Sequence, residues 1–208
     1  MHLKRNKAAK KLPIPRKGTT FVARASSHIK NSVPVLIALR DMLKLARNAR
    51  EVKKMINQKL IKINGRTVKD VRESIKLYNI LQADKAYVLT LSSTKKFYLE
   101  ETKDKEKRLC KVTGKTRTKN NKIQLNLHDG SNVLSDDKIN IDDSLYLDLS
   151  GKIKENIPLE KGKDIIVLFG RYMGYKGKIK SIEGKKIECL LNKTENLVIL
   201  GKGQIIAI

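Results

Sequence analysis

Tryptophan is absent from this 208-residue chain, and aromatic residues make up only 4% of it. Any core must therefore be built mainly from Ile, Leu and Val, within a hydrophobic fraction of 40%. Cysteine is nearly absent too. Cys110 and Cys189 stand far apart and in no CxxC arrangement, so neither a disulfide framework nor a zinc site is indicated. They read as small hydrophobes in a reducing compartment. No long apolar run, signal peptide or lipidation motif occurs, which argues against a membrane protein. The histidines, His2, His28 and His128, are scattered, with no spacing that suggests a metal or catalytic cluster. Acidic residues are scarce: 21 Asp and Glu face 46 Lys and Arg.

The resulting net charge of +25 is the strongest signal present. So much like charge in one small volume repels itself and weakens the compact state. Nucleic acid relieves that repulsion, exchanging condensed counterions for Lys and Arg. The cations are also clustered. Residues 1–32 hold Lys4, Arg5, Lys7, Lys10, Lys11, Arg16, Lys17, Arg24 and Lys30 and no acidic residue. The apolar pattern there is poor, and Pro13 and Pro15 oppose a helix. This segment is expected to be an extended arm without a stable fold of its own, ordered against RNA. Lys4, Arg5, Lys7, Arg16, Lys17 and Arg24 are its candidate RNA ligands.

Between residues 32 and 47 the periodicity becomes helical. Ser32 is a candidate N-cap, Pro34 suits a first turn, and Leu36, Leu39, Leu43 and Ala46 form one apolar stripe. Arg40, Lys44 and Arg47 recur on another face. Asn48 reads as a break and cap before a second short helix, with Val52, Met55 and Ile56 inward and Arg50, Lys53 and Lys54 outward. Leu60 to Val68 alternates around Asn64-Gly65, a hairpin signal because both turn residues must take positive φ. Strands are expected at 86–91, 96–99, 109–112, 123–127, 144–149, 165–169, 178–182, 186–191 and 197–200, separated by turn residues. Many short, evenly spaced strands suggest small barrels. The fold class is α+β and mostly β, with an arm at 1–32, a helix–helix–hairpin domain at 33–85, a central β-rich domain at 86–157 and a last barrel at 158–208.

Residues 128–148 reverse the charge pattern, with Asp129, Asp136, Asp137, Asp142, Asp143 and Asp148 against Lys138 alone. No calcium-loop spacing appears. The expectation is a solvated acidic face turned away from RNA or toward a basic neighbour. Gly170-Arg171-Tyr172-Met173-Gly174-Tyr175-Lys176-Gly177-Lys178-Ile179 is a glycine-rich loop between strands. It lacks the Gly-Lys-Ser or Gly-Lys-Thr that opens a helix in a Walker-type nucleotide site. Its glycines permit positive φ and close backbone approach to a phosphate, while Arg171, Lys176 and Lys178 supply charge.

Two of these segments resemble known modules. Residues 33–68 resemble the S4 RNA-binding domain. That likeness implies RNA contacts from Arg40, Lys44, Arg47, Arg50, Lys53, Lys54 and Arg66, which occupy the matching places. The loop Gly170–Ile179 resembles the KOW motif of SH3-like barrels, implying roles for Gly170, Arg171, Gly174, Lys176, Gly177 and Lys178. The order of the pieces, from His2-Leu3-Lys4-Arg5 to Val198-Ile199-Leu200-Gly201-Lys202-Gly203, resembles the ribosomal protein S4e family of the archaeal and eukaryotic small subunit. Family arms often carry a Trp and a Pro-Gly-Pro-His segment; here the matching stretch is Ala25-Ser26-Ser27-His28. The chain stops soon after Gly203, which is expected of a shortened, archaeal-type member.

The resemblance implies a cytoplasmic, structural, non-enzymatic constituent of the small ribosomal subunit. Its expected partners are small-subunit rRNA and neighbouring ribosomal proteins, with no membrane, cofactor, metal or small-molecule substrate. Two rival readings use the same modules: an RNA-modifying enzyme, and a translation or transcription factor. The enzyme would need a catalytic constellation in the 140 residues after position 68, where none is evident.

Overall fold

A computed structural model describes residues 2–118, 122–135, 139–192 and 197–208. The chain divides into two compact units, Met1–Glu106 and Lys107–Ile208.

In the first unit, β1 (Leu3–Lys4) pairs antiparallel with β2 (Phe21–Val22). The arm, expected to be extended and without a stable fold of its own, here forms a short ribbon. Arg5 is the reason. Its Nε donates to the Thr19 carbonyl at 2.7 Å, Nη1 to the Pro15 carbonyl at 2.6 Å and Nη2 to Thr19 Oγ1 at 2.9 Å. Backbone bonds then fasten the arm to the rest of the unit: Ser26 N donates to Arg72 O at 2.8 Å and Phe97 N to Lys11 O at 2.9 Å. Leu12 and Ala25 are buried. Carbonyl acceptors collected by one guanidinium leave no hydrophobic period to read, so pattern reasoning misses them.

The expected helix over 32–47 is shorter and irregular. Ser32 is no N-cap; it lies in β3 (Ser32–Pro34), and its Oγ donates to the carbonyls of Ser27 and His28 at 2.9 and 3.0 Å. One short turn, α1 (Val35–Ile37), widens into a π turn over Ala38–Met42, and Lys44 then takes φ +57°. Widening rotates the buried face. Val35, Ile37, Ala38 and Leu39 are buried, while Leu36 and Leu43 are only partly covered. The second helix, α2 (Ala49–Asn57), forms where expected. Asn48 caps it, accepting from Arg50 N and Glu51 N at 2.9 and 3.0 Å. Glu51 steadies the cap by accepting from Arg47 N at 2.6 Å and from Asn48 Nδ2 at 3.0 Å.

The hairpin β4 (Lys62–Ile63) and β5 (Arg66–Thr67) turns at Asn64 and Gly65, with φ +49° and +78°, as the sequence requires. Next come β6 (Ser74–Lys76), which pairs with β3, then β7 (Ile80–Gln82), β8 (Ala86–Leu91) and β9 (Phe97–Glu101). One sheet runs β5-β4-β7-β8-β9. The expected boundary at residue 85 therefore falls inside a sheet: β8 hydrogen-bonds along β7 and belongs to the first unit. Ile63, Ile80, Leu81, Leu89 and Phe97 are among its buried residues.

The second unit holds two sheets. In the first, β10 (Lys107–Arg117), β11 (Ile123–Leu127), β12 (Asn132–Ser135), β13 (Ser144–Asp148) and β14 (Ile153–Ile157) run in the order β12-β11-β10-β13-β14. The long β10 pairs with β13 through Lys107–Lys111 and with β11 beyond it. A register shift between Val112 and Gly114 bends it between its two partners. Cys110, Val112, Leu125, Leu127, Leu145 and Leu147 form its core.

The second sheet has β15 (Asp164–Val167), β16 (Lys176–Glu183), β17 (Lys186–Leu191), β18 (Leu197–Gly201) and β19 (Ile205–Ala207) in the order β18-β17-β16-β15-β19. Ile165, Val167, Ile179, Ile187, Cys189 and Ile205 fill its core. The chain's last strand closes onto β15, so the two ends of this module meet. Polar anchors join the two sheets. Buried Lys111 donates through Nζ to the carbonyls of Lys202 and Ile205 at 2.6 and 2.7 Å and pairs with Asp142 at 2.9 Å. Ala207 N donates to Ser144 Oγ at 3.0 Å.

The acidic stretch is not a solvated face. Asp129 is buried, ion-paired to Arg108, and accepts from Ser131 N and Oγ at 2.8 and 2.6 Å. Asp143 is also buried and accepts from Asn140 N and Leu159 N at 2.8 and 3.2 Å. Asp142 holds Lys111, and Asp148 accepts from Leu149 N at 2.6 Å. These carboxylates satisfy turn amides and a buried cation. Asp136, Asp137 and Lys138 lie outside the described residues.

Candidate nucleic-acid interface

In the first unit, α2 does the positioning. Val52 and Ile56 anchor it in the core, so its opposite side faces solvent. Arg50, Lys53 and Lys54 are three and four residues apart and all exposed, which makes them neighbours on one surface. Lys44 and Arg47 lead into the same helix and are also exposed. None of these five cations forms an ion pair with a described residue. No described carboxylate therefore neutralises them.

Three arginines chosen from the sequence are otherwise engaged. Arg5 clasps the arm. Arg40 forks onto its neighbour Asp41, Nε to Oδ1 and Nη2 to Oδ2, both at 2.8 Å. That hydrogen-bonded carboxylate raises the Arg40 pKa and cancels the charge Arg40 would offer a phosphate. Arg66 pairs with Glu73 at 2.8 Å. The remaining arm cations, Lys4, Lys7, Arg16 and Lys17, are exposed, and Arg24 is partly so.

In the second unit, the loop between β15 and β16 is a tight knot. Gly170 and Gly174 take φ +95° and +84°. Gly174 N donates to Val167 O at 2.8 Å and Val167 N to Tyr175 O at 3.0 Å. Gly177 has an ordinary φ and serves differently. A Cβ there would lie 2.9 Å from Leu191 Cα and overlap the Leu190 carbonyl oxygen, so only glycine lets β16 approach β17 so closely. Met173 is buried, and Tyr172 meets Tyr175 edge-on at 6.1 Å. Arg171 lies over the Tyr172 ring at 5.8 Å and is exposed.

Beyond the loop, Lys176 and Lys178 alternate on the solvent face of β16. Lys180 extends the row, exposed like the other two. It is absent from the candidates drawn from the sequence, although the period of two through Lys176 and Lys178 points to it. Lys178 lies 4.0 Å from Asp164, and both are mostly exposed, a pairing that water screens.

Among the described residues, no group of three or more His, Cys, Asp or Glu is placed to hold a metal ion. No helix of the described residues is long and apolar enough to cross a membrane. The geometry is that of charged surfaces set on rigid turns.

Known proteins resemble this chain in sequence and in fold. The family model for the S4 domain matches residues 39–77, and that for the ribosomal family S4e matches residues 83–153. The small ribosomal subunit protein eS4 of Methanothermobacter thermautotrophicus is 35% identical over 190 residues, covering 87% of this chain and 78% of that protein. The eS4 protein of Methanocaldococcus jannaschii is 32% identical over 212 residues, covering 94% and 87%. The crystal structure of the 30S ribosomal protein S4e from Thermoplasma acidophilum superposes with a TM-score of 0.73 at 25% identity, over 86% of this chain and 95% of that one.

Proposed function

The chain belongs to the ribosomal protein S4e family, and from that premise we propose that it holds small-subunit rRNA through separate cationic surfaces on its modules. It is a structural constituent of the small ribosomal subunit and not an enzyme. The observation that carries the RNA-holding role is the unpaired row Arg50, Lys53 and Lys54 on α2, within the segment that matches the S4 domain. Lys44 and Arg47 extend that surface. In the other unit, Arg171, Lys176, Lys178 and Lys180 line the loop and strand that we read as the KOW motif of an SH3-like barrel. A-form RNA offers phosphates and 2′-hydroxyls more readily than base edges, so cations fixed on turns and helices suit recognition of shape. Neighbouring ribosomal proteins are the other partners, and the cytoplasm is the compartment.

The test is a salt titration. Replacing Arg50, Lys53 and Lys54 together by Gln removes three phosphate contacts, so the slope of log Kobs against log salt on small-subunit rRNA should become shallower by about 2–3. The fold should be kept, since all three are exposed. An unchanged slope with an intact fold overturns the assignment of this surface.

A further inference from the structure

We propose that the arm carries a stacking platform for one unpaired RNA base, built on Phe21. The proposal rests on the RNA-binding role above and deepens it by naming what this part of the chain reads. Phe21 is half exposed in a protein with only three Phe residues, where a large ring is worth most inside. It is not an orphan in a loop. It sits in β2, directly across from Lys4 of β1. Successive side chains of a strand alternate between faces, so His2 and Lys4 share the face of Phe21, while Leu3 and Val22 occupy the other. His2 and Phe21 confirm this placement, with ring centroids 5.1 Å apart and planes tilted by 46°. The result is a short ribbon face bearing an imidazole, a phenyl ring and an ammonium in a row.

The ribbon is held in place. The loop from 5 to 20 is clasped by the three guanidinium bonds of Arg5, and Arg5 N donates to Thr20 O at 2.9 Å. Thr19 Oγ1 donates to the Phe21 carbonyl at 3.0 Å. A ring fixed before binding loses little freedom on stacking. Its surroundings are cationic: residues 1–32 hold nine Lys and Arg and no acid. An exposed aromatic among lysines is poorly suited to an apolar protein surface, which would have to desolvate those charges. It is well suited to a single-stranded nucleotide, whose base stacks on the ring while Lys4 reaches the phosphate.

The experiment uses the full chain and two probes: small-subunit rRNA, and a single-stranded RNA decamer with a central 2-aminopurine. Phe21→Ala should weaken binding of the decamer between about 5- and 150-fold and abolish the quenching of 2-aminopurine. Phe21→Trp should retain both binding and quenching. Phe21→Leu, which keeps apolar bulk without a π face, should behave like Phe21→Ala. Wild-type binding by Phe21→Ala, or full binding by Phe21→Leu, overturns the proposal. Loss of binding on replacing the α2 cations, with none for Phe21→Ala, sinks the stacking platform alone and leaves the rRNA-holding role standing. Circular dichroism on each variant establishes that the fold is retained.

Discussion

Lys111 is the most informative single residue to remove. It is 2% exposed, and its ammonium donates to two backbone carbonyls and pairs with Asp142. Lys111→Met keeps most of the volume, so packing changes little. What remains is two carbonyls without a donor and a carboxylate without its cation. Each unsatisfied buried acceptor costs about 1–3 kcal/mol, and breaking a buried pair by removing one partner costs about 3–5 kcal/mol. Asp142 is 21% exposed and recovers some hydration, which sets the expectation at about 3–5 kcal/mol in total rather than the sum. Urea unfolding of the full chain should show this as a lower midpoint at unchanged m-value. A pH series tests the same site from another side. Burial lowers the Lys111 pKa, with the Asp142 bond opposing. Between that lowered pKa and the unfolded value of 10.5, the unfolded chain binds more protons, so stability from this group rises with pH. A neutral amine still has N–H groups for both carbonyls while the desolvation penalty disappears. The gap between wild type and Lys111→Met should therefore widen as pH approaches 10.5. A variant within about 1 kcal/mol of wild type would mean that water replaces the ammonium, and the anchor would not be one. A gap that narrows on raising pH would equally refute the reasoning.

Gly177→Ala should destabilise the protein by about 1–3 kcal/mol or more, because the new methyl meets backbone rather than a mobile side chain; a thermal melt unchanged from wild type would show that β16 and β17 separate without cost. Cys110 and Cys189 are buried, with thiols pushed up to about 12 and about 11 by desolvation. Their thiolate fractions at pH 8 are about 10⁻⁴ and 10⁻³, so neither should react with an aromatic disulfide reagent until denaturant is added, and labelling of the native protein within minutes would contradict their burial.

The parts of the fold legible in the sequence are those whose cause is local. Asn64-Gly65 specifies its turn because both residues must take positive φ, and they do. Asn48 specifies a cap because its side chain can reach two amides, and it does. The strands at 86–91, 123–127 and 186–191 have the expected bounds. The parts that were not legible depend on distant partners. Nothing near Arg5 announces that Pro15 and Thr19 will offer it their carbonyls. Nothing near Ser32 shows that it pairs with Lys76 in a strand rather than opening a helix. The acidic stretch shows the same limit. A run of aspartates looks like surface charge, yet Asp129 and Asp143 face inward because Arg108 and the amides of Asn140 and Leu159 are waiting there.

The candidate interface divides along a related line. Periodicity placed Arg50, Lys53 and Lys54 on the solvent side of α2, and there they are. Arg5, Arg40 and Arg66 look equally available in the sequence but are engaged within the chain. The difference is chemical. A guanidinium offers a planar fork of donors that carboxylates and carbonyls satisfy two at a time, so a folding chain with few acids still captures some of its arginines. An ammonium on a flexible stem is hydrated strongly and left outside unless, like Lys111, it is carried in with its acceptors. In this protein the exposed lysines at 44, 53, 54, 176 and 180, with the exposed Arg47, Arg50 and Arg171, therefore hold much of the charge still open to a polyanion. A count of +25 states how strongly such a chain seeks RNA. Which cations can answer depends on what the fold has already bound.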